Sequence, residues 1–127
     1  MHIEGLEIVY PPDPHTIVLC LVGRMPGEAI PQAEELCKGL MEKGRPWVVI
    51  DLSRASYISD EGVGMLAFYD GYLRSLGGGM AVVAPPPSVV SNIHKFNLAR
   101  AVNWCQTRDQ ALGELAKARA GQAEAKA

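Results

Sequence analysis

The segment from Trp47 to Leu52 places the strongest constraint on how this chain can fold. It is apolar at every position except Asp51. A strand that is apolar at consecutive positions, rather than at alternate ones, is typical of the middle of a sheet that is covered on both faces. The segment therefore predicts a central, buried strand.

Two strands and two helices are predicted around this central strand. Ile3 to Tyr10 and Thr16 to Val22 carry strand patterns and are separated by a proline-rich break. Apolar residues recur at helical spacing from Ile30 to Met41 and from Val63 to Leu76, and glycines follow both stretches. The chain between the central strand and the second helix, Ser53 to Tyr57, is predicted to be a polar turn.

The second half of the chain continues the alternation. A strand is predicted from Met80 to Ala84, a helix from Pro87 to Phe96 and a short strand from Ala101 to Cys105. The capping-box sequence from Thr107 to Gln110 opens a last helix. This order predicts an α/β fold, in which a mixed sheet of roughly four to five strands carries about four helices, packed largely on one side.

Length and composition indicate a single domain. With 127 residues, of which 48% are hydrophobic, the chain can fill one core without metals or disulfides. We expect this domain to span residues 1–116. Residues 117–127 are rich in Ala, Lys, Glu and Gln, and we expect them to extend the last helix or to fray, because they carry no apolar stripe.

The distribution of charge argues against a nucleic acid partner, and the distribution of apolar residues argues against a membrane span. The net charge is -2 and the Lys and Arg residues are scattered, so we expect no basic surface that could neutralise phosphates. No apolar run approaches the roughly 20 residues that a membrane span needs, and the N-terminus lacks the pattern of a signal peptide. We therefore expect a cytoplasmic protein without membrane insertion.

The cysteines and histidines give no sign of a metal or cofactor site. Cys20, Cys37 and Cys105 form an odd set without a Cys-x-x-Cys pair, which fits buried, reduced thiols. The histidines lie far apart in the sequence and show no spacing typical of metal ligands. We expect neither a metal nor a cofactor.

The residues Ser59, Asp60 and Glu61, followed by Gly62, open the second helix and form a candidate regulatory turn. Serine is a favoured helix N-cap, and acidic residues in a first turn complement the helix dipole. Ordinary capping therefore explains this sequence, and a site of partner binding or modification is the alternative.

The same region resembles the signature of STAS domains, the family of anti-sigma factor antagonists. Val48 to Ser53 is similar to the family's strand before its regulatory turn, Gly62-Val63-Gly64 to its Gly-Leu-Gly, and Phe96-Asn97-Leu98 to its Gly-Leu step. The order of elements is also similar over residues 3 to 116. The resemblance implies that a partner kinase, often also an anti-sigma factor, binds this face and phosphorylates a hydroxyl in the turn, and that phosphorylation then separates the partners.

Two departures from the family pattern bear on regulation. The family's Asp-Ser-Ser-Gly falls on Ser59 to Gly62, so the resemblance places Glu61 where the phosphorylated hydroxyl usually lies. Glu61 carries a fixed single charge, against about -1.5 to -2 for phosphoserine, and we expect a permanent mimic of the modified state. Ser59 remains a candidate phosphoacceptor, although an N-cap hydroxyl that binds backbone N–H groups is a poorer one. The second departure is Gly23-Arg24-Met25-Pro26, where the family often has Gly-Glu-Leu-Asp.

The resemblance predicts a non-catalytic module that docks a protein partner through the turn and helix from Ser59 to Tyr72. The partner would be a serine kinase, an anti-sigma factor or a component of a sensory assembly. Candidate partner-binding residues on the helix are Val63, Met65, Phe68 and Tyr72. We expect Phe68 and Tyr72 to be partly buried beneath neighbouring loops.

Two other classes of function compete with partner docking. A scaffold STAS subunit of a sensory assembly or of a transport system is the alternative, because a fold does not determine function. An enzyme is not expected. Asp51, Asp60 and Glu61 have no His, Lys or Cys nearby in the sequence to complete a catalytic arrangement.

Overall fold

The computed structural model describes residues 5–24, 29–44, 46–57, 60–83 and 103–126. The strands and helices of this part of the chain are, in order, β1 (Leu6–Val9), β2 (Thr16–Arg24), α1 (Ala29–Glu42), β3 (Trp47–Tyr57), α2 (Asp60–Ser75), β4 (Gly79–Val83), β5 (Asn103–Cys105) and α3 (Arg108–Lys126).

The strands form one five-stranded sheet in the order β1-β2-β3-β4-β5. β1 pairs antiparallel with β2, and the remaining neighbours pair in parallel. Parallel neighbours need a crossover between them, and α1 and α2 provide two of these crossovers. The predicted α/β fold with a mixed sheet and a central β3 is confirmed.

β3 is longer than its apolar core, and the prediction of a polar turn from Ser53 to Tyr57 is wrong. The strand continues to Tyr57 because its pairing with β2 continues, with Arg54 opposite Val22 and Ala55 opposite Gly23 after a shift in register. Only Ala55 is buried in this second half of the strand. Polar side chains are tolerated there because the strand leaves the covered centre of the sheet.

Helices cover both faces of the sheet. One face packs against Leu66, Tyr69 and Leu73 of α2, and the opposite face packs against Ala111 and Leu115 of α3. Because side chains alternate along a strand, β3 contributes to both cores, with Val48, Ile50 and Leu52 on the α2 face and Trp47 and Val49 on the α3 face. The helices were expected to pack largely on one side of the sheet. α1 and α2 lie next to each other on one side, whereas α3 covers the other face.

The ends of α2 and α3 follow their predicted capping chemistry. After α2, Gly77 has a φ of 82°, and the N–H of Gly78 donates to the carbonyl of Leu73 at 2.8 Å, which is the Schellman pattern. Before α3, the Thr107 hydroxyl accepts from the Gln110 N–H at 3.1 Å. The side-chain oxygen of Gln110 accepts from the N–H of Gln106. In a regular capping box it would accept from the N–H of the N-cap residue, Thr107.

Some of the expectations lie at or beyond the limits of the described residues. The helix from Pro87 to Phe96 and the start of the strand at Ala101 lie outside them. α3 continues without a break past residue 116 to Lys126. Cys20 and Cys105 are buried, as expected. None of the helices in the described ranges has the length and hydropathy of a membrane span.

Candidate functional site

The start of α2 carries the candidate regulatory turn. β3 ends at Tyr57 and α2 begins at Asp60, so Asp60, Glu61 and Gly62 occupy the first turn of the helix. Ser59 lies outside the described residues, as do the side chains of Asp60 and Glu61. The N–H groups of a first helical turn have no partner within the helix, and together with the helix dipole they favour a negative charge at this place.

Arg24 and Tyr57 lie at the same edge of the sheet as the start of α2. They are opposite each other at the carboxyl ends of the parallel strands β2 and β3. The guanidinium carbon of Arg24 lies 4.5 Å from the centre of the Tyr57 ring, and the ring is 39% exposed. Such a cation–π contact contributes about 0.5 to 1 kcal/mol at an exposed site. The contact holds a cation at the edge of the sheet where α2 begins.

Asp51 is buried in β3 and belongs to a structural ion pair. One of its carboxylate oxygens accepts from Arg108 Nη2 at 2.9 Å and from Arg108 Nε at 3.2 Å. The other oxygen accepts from the Ser53 N–H at 2.9 Å. Burial raises the pKa of Asp51, but the hydrogen bonds from Ser53 and Arg108 outweigh it and hold that pKa below its ordinary value. Asp51 is therefore an ionised link between β3 and α3 and not a poised acid or base.

The Arg108 guanidinium also contacts a buried thiol. Its Nη2 atom lies 3.1 Å from Sγ of Cys20. Burial raises the pKa of the Cys20 thiol, although the positive charge of Arg108 opposes this. A buried thiol that stays protonated is a poor nucleophile, so Cys20 acts here as a packing residue.

The candidate partner-binding residues of α2 differ in exposure. Met65 is half-buried and packs against the core. Tyr72 is also half-buried, as expected, but the expectation of partial burial is wrong for Phe68, whose exposed fraction is 65%. Phe68 precedes the core residue Tyr69, and one residue along a helix turns a side chain by about 100°, which directs Phe68 away from the sheet. The side chain of Val63 lies outside the described ones.

Three aromatic rings on α2 form a cluster around Phe68. The rings of Phe68 and Tyr72 are nearly parallel, at 8°, with their centres 6.3 Å apart. Tyr69 meets both rings edge-on, at 5.2 Å and 6.0 Å. The Tyr72 hydroxyl donates to Oε1 of Glu42 at 3.1 Å, which ties the cluster to the end of α1. Burial raises the pKa of Tyr72, and the Glu42 carboxylate raises it further.

This cluster forms one wall of a groove between α1 and α2. The groove encloses about 500 Å³. It is lined by Pro31, Glu34, Glu35 and Lys38 of α1 and by Phe68, Tyr69 and Tyr72 of α2. Phe68 and Tyr72 of the aromatic wall are among the residues predicted from the sequence, whereas the α1 wall was not predicted, because no local pattern shows which helix lies beside α2.

Solved structures of other proteins share the fold of this chain. The chain covers most of each of three similar solved structures, and its sequence is less than 25% identical to theirs. For the anti-sigma factor antagonist SpoIIAA in its unphosphorylated form, the TM-score is 0.78 at 18% identity, over 88% of this chain and 96% of that one. For an anti-sigma factor antagonist from Mycobacterium paratuberculosis, the TM-score is 0.74 at 24% identity, over 87% and 92%. For the Bacillus cell fate determinant SpoIIAA in its phosphorylated form, the TM-score is 0.69 at 16% identity, over 86% and 97%.

Sequence comparison identifies the family. No curated protein matches the chain. The family model described as the STAS domain matches residues 7–111, which include all but the first residue of β1, the strands β2 to β5, the candidate turn and the start of α3. This match spans well over half of the chain, and the chain therefore belongs to the STAS domain family.

Proposed function

We propose that this protein is a non-catalytic regulator that binds a partner kinase or anti-sigma factor through the turn and helix from Ser59 to Tyr72. Its fold is that of anti-sigma factor antagonists, and one of these, SpoIIAA, occurs in phosphorylated and unphosphorylated forms. In the present chain Glu61 occupies the position that resembles the phosphoacceptor. The protein therefore presents one fixed state to its partner, or is regulated by other means.

The exposure of Phe68 carries this proposal. A large aromatic side chain with 65% exposure lies on the helix that begins with Asp60 and Glu61. Exposed aromatic groups are typical anchors of protein interfaces. An interface centred on α2 would thus contain an apolar anchor and, two turns before it, the fixed charge.

The position of Glu61 supports the proposal that its carboxylate mimics a phosphorylated residue. A helix N-terminus holds an anion without disturbing the fold, because its N–H groups and its dipole favour negative charge. A carboxylate supplies less charge and fewer acceptor oxygens than a phosphate. A partner that reads charge at this turn would therefore respond to Glu61 as to an incomplete phosphorylation.

Affinity capture from native extract with wild type, Glu61→Ala and Glu61→Ser tests the proposal. If Glu61 mimics phosphate, Glu61→Ala should retain more of a kinase-like partner than wild type does. Glu61→Ser should in addition gain the mass of one phosphate after incubation with extract and ATP, as measured by intact mass spectrometry. The readout is the identity and amount of captured kinase or anti-sigma factor.

Glu114→Ala is the matched control, because Glu114 is an exposed carboxylate on α3, the helix on the opposite face of the sheet. It should leave the captured partner unchanged. Equal capture by all four proteins would remove Glu61 from the mechanism. A phosphate found on Ser59 of the wild type would show an ordinary phosphorylation cycle at a different residue.

A further inference from the structure

The groove between α1 and α2 combines two kinds of recognition chemistry. Its α2 wall is aromatic, with Phe68 exposed and Tyr72 half-buried. Its α1 wall carries two carboxylates, Glu34 and Glu35, and one ammonium group, Lys38. Carboxylates therefore outnumber cations on this wall.

The aromatic wall is held in place before any ligand binds. Tyr69 is buried and contacts both Phe68 and Tyr72 edge-on, and the hydroxyl of Tyr72 is bound to Glu42. Because these contacts restrict the ring of Phe68, a ligand loses less binding free energy to ordering this side chain. An exposed and ordered ring face beside carboxylates is suited to a cation.

We propose that this groove receives an arginine side chain of the partner protein. The planar guanidinium group can stack on the Phe68 ring and at the same time donate two parallel hydrogen bonds to Glu35, the more exposed of the two carboxylates. A lysine ammonium lacks this planar geometry and is more strongly hydrated. The inference rests on the proposed function, because it specifies the chemistry of a partner that docks on α2.

Titration of the full chain with a designed peptide tests the inference directly. The probe is an alanine-rich helical peptide with two arginines one turn apart, and the comparison peptide carries citrulline, which has the same shape without the charge. The measured quantities are the NMR shifts of the Phe68, Tyr69 and Tyr72 rings. We expect the arginine peptide to shift these rings and to bind about threefold to tenfold more tightly than the citrulline peptide.

Three variants of the chain should change this affinity in opposite directions. Phe68→Ala and Glu35→Gln should each weaken binding of the arginine peptide about threefold or more, whereas Lys38→Gln should strengthen it. Glu114→Gln on α3 and Tyr10→Ala, which removes another exposed aromatic side chain, should leave it unchanged. All these positions are at least partly exposed, and thermal unfolding confirms that each variant is folded.

The outcomes separate this inference from the proposed function. Equal binding of the two peptides, or ring shifts that do not depend on Glu35, would overturn the arginine pocket. If capture of the kinase-like partner depends on Phe68 but the peptide does not bind, the inference fails and docking on α2 stands. If the arginine peptide binds but capture is indifferent to Phe68, the pocket stands and the proposed function fails. Ring shifts that grow with protein concentration alone would show that a second copy of the chain fills the groove, which contradicts a partner's arginine.

Discussion

At the residue scale, two equally buried carboxylates lie in different electrostatic environments. Asp51 and Asp70 are each 5% exposed. Asp51 is held by Ser53 and Arg108, and its pKa is lowered. For Asp70 burial dominates and raises the pKa, and Arg74, whose side chain is 64% exposed, lies 3.3 Å away and only partly offsets this. The fold thus stabilises the charge of one aspartate and disfavours that of the other.

Replacing each aspartate by asparagine should therefore have different effects at neutral pH. Asp51→Asn removes a charged hydrogen-bonding partner from Arg108 and should lower the free energy of unfolding by about 2 kcal/mol. Asp70→Asn removes a carboxylate that the fold disfavours and should leave the protein at least as stable as wild type. Urea unfolding measures both. Equal destabilisation by the two variants would contradict this interpretation.

The same two groups determine opposite contributions to the pH dependence of stability. Because the pKa of Asp51 is lowered from 3.8, its stabilisation is complete above pH 3.8 and is lost as the pH falls through the lower, folded pKa. Because the pKa of Asp70 is raised from 3.8, stability is lost as the pH rises from 3.8 through the folded value. In acid, Asp51→Asn should therefore lose less stability than wild type, and Asp70→Asn should show no such protection.

At the scale of elements, the connection from α2 to β4 contains the most crowded of the described glycines, Gly78. Gly78 follows the glycine cap of α2 and lies against Pro46, the residue before β3. A Cβ atom at Gly78 would come within 1.9 Å of the Pro46 carbonyl oxygen. The N–H of Gly79 also donates to this oxygen at 3.1 Å. Glycine is required here because β4 must start close to β3 in order to pair with it.

Two glycine-to-alanine substitutions should consequently differ in sign. Gly78→Ala forces the backbone of Pro46 to move and should destabilise the protein by about 1 kcal/mol or more. Gly113→Ala lies in α3, where a Cβ meets no atom within 4 Å, and should stabilise it by about 0.5 to 1 kcal/mol. The measurement is the midpoint of urea unfolding for both variants. Stabilisation by Gly78→Ala would show that the α2–β4 connection is looser than described.

At the scale of the whole molecule, two cores share one sheet. Among the described residues, the α2 face and the α3 face form separate clusters with the strands of the sheet between them. α3 contributes to its core through Ala111 and Leu115, both of which precede residue 117. Beyond them, Arg119 binds the carboxylate of Asp13 at 2.6 Å and 2.5 Å. This pair ties the expected tail to the connection between β1 and β2, and a partly exposed ion pair contributes about 1 kcal/mol or less.

A chain of residues 1–116 should therefore fold as one cooperative unit. We expect it to lose no more than about 1 kcal/mol of stability relative to the full chain, and Arg119→Gln in the full chain should lose a similar amount. Urea unfolding followed by circular dichroism checks both. A truncated chain that unfolds in two steps, or not cooperatively, would place the domain boundary beyond residue 116.

The sequence by itself determined the features that depend on neighbouring residues. The apolar run of β3, the helical spacing of α1 and α2, the glycines after them and the cap before α3 are local patterns, because they express backbone preferences and side-chain periodicity over a few residues. The signature around Glu61 is local as well. For this reason the α/β fold, the STAS family and the start of α2 at the candidate turn could all be predicted.

Only the tertiary structure decided what depends on which elements meet. Pairing with β2 carries β3 on to Tyr57, and Arg108 finds Asp51 across 57 residues of chain. The acidic wall of the groove lies on α1 and the aromatic wall on α2, and Phe68 is exposed because it turns away from the sheet that buries Tyr69. Burial and ion pairing are properties of packed neighbours, and a sequence read one stretch at a time does not contain them.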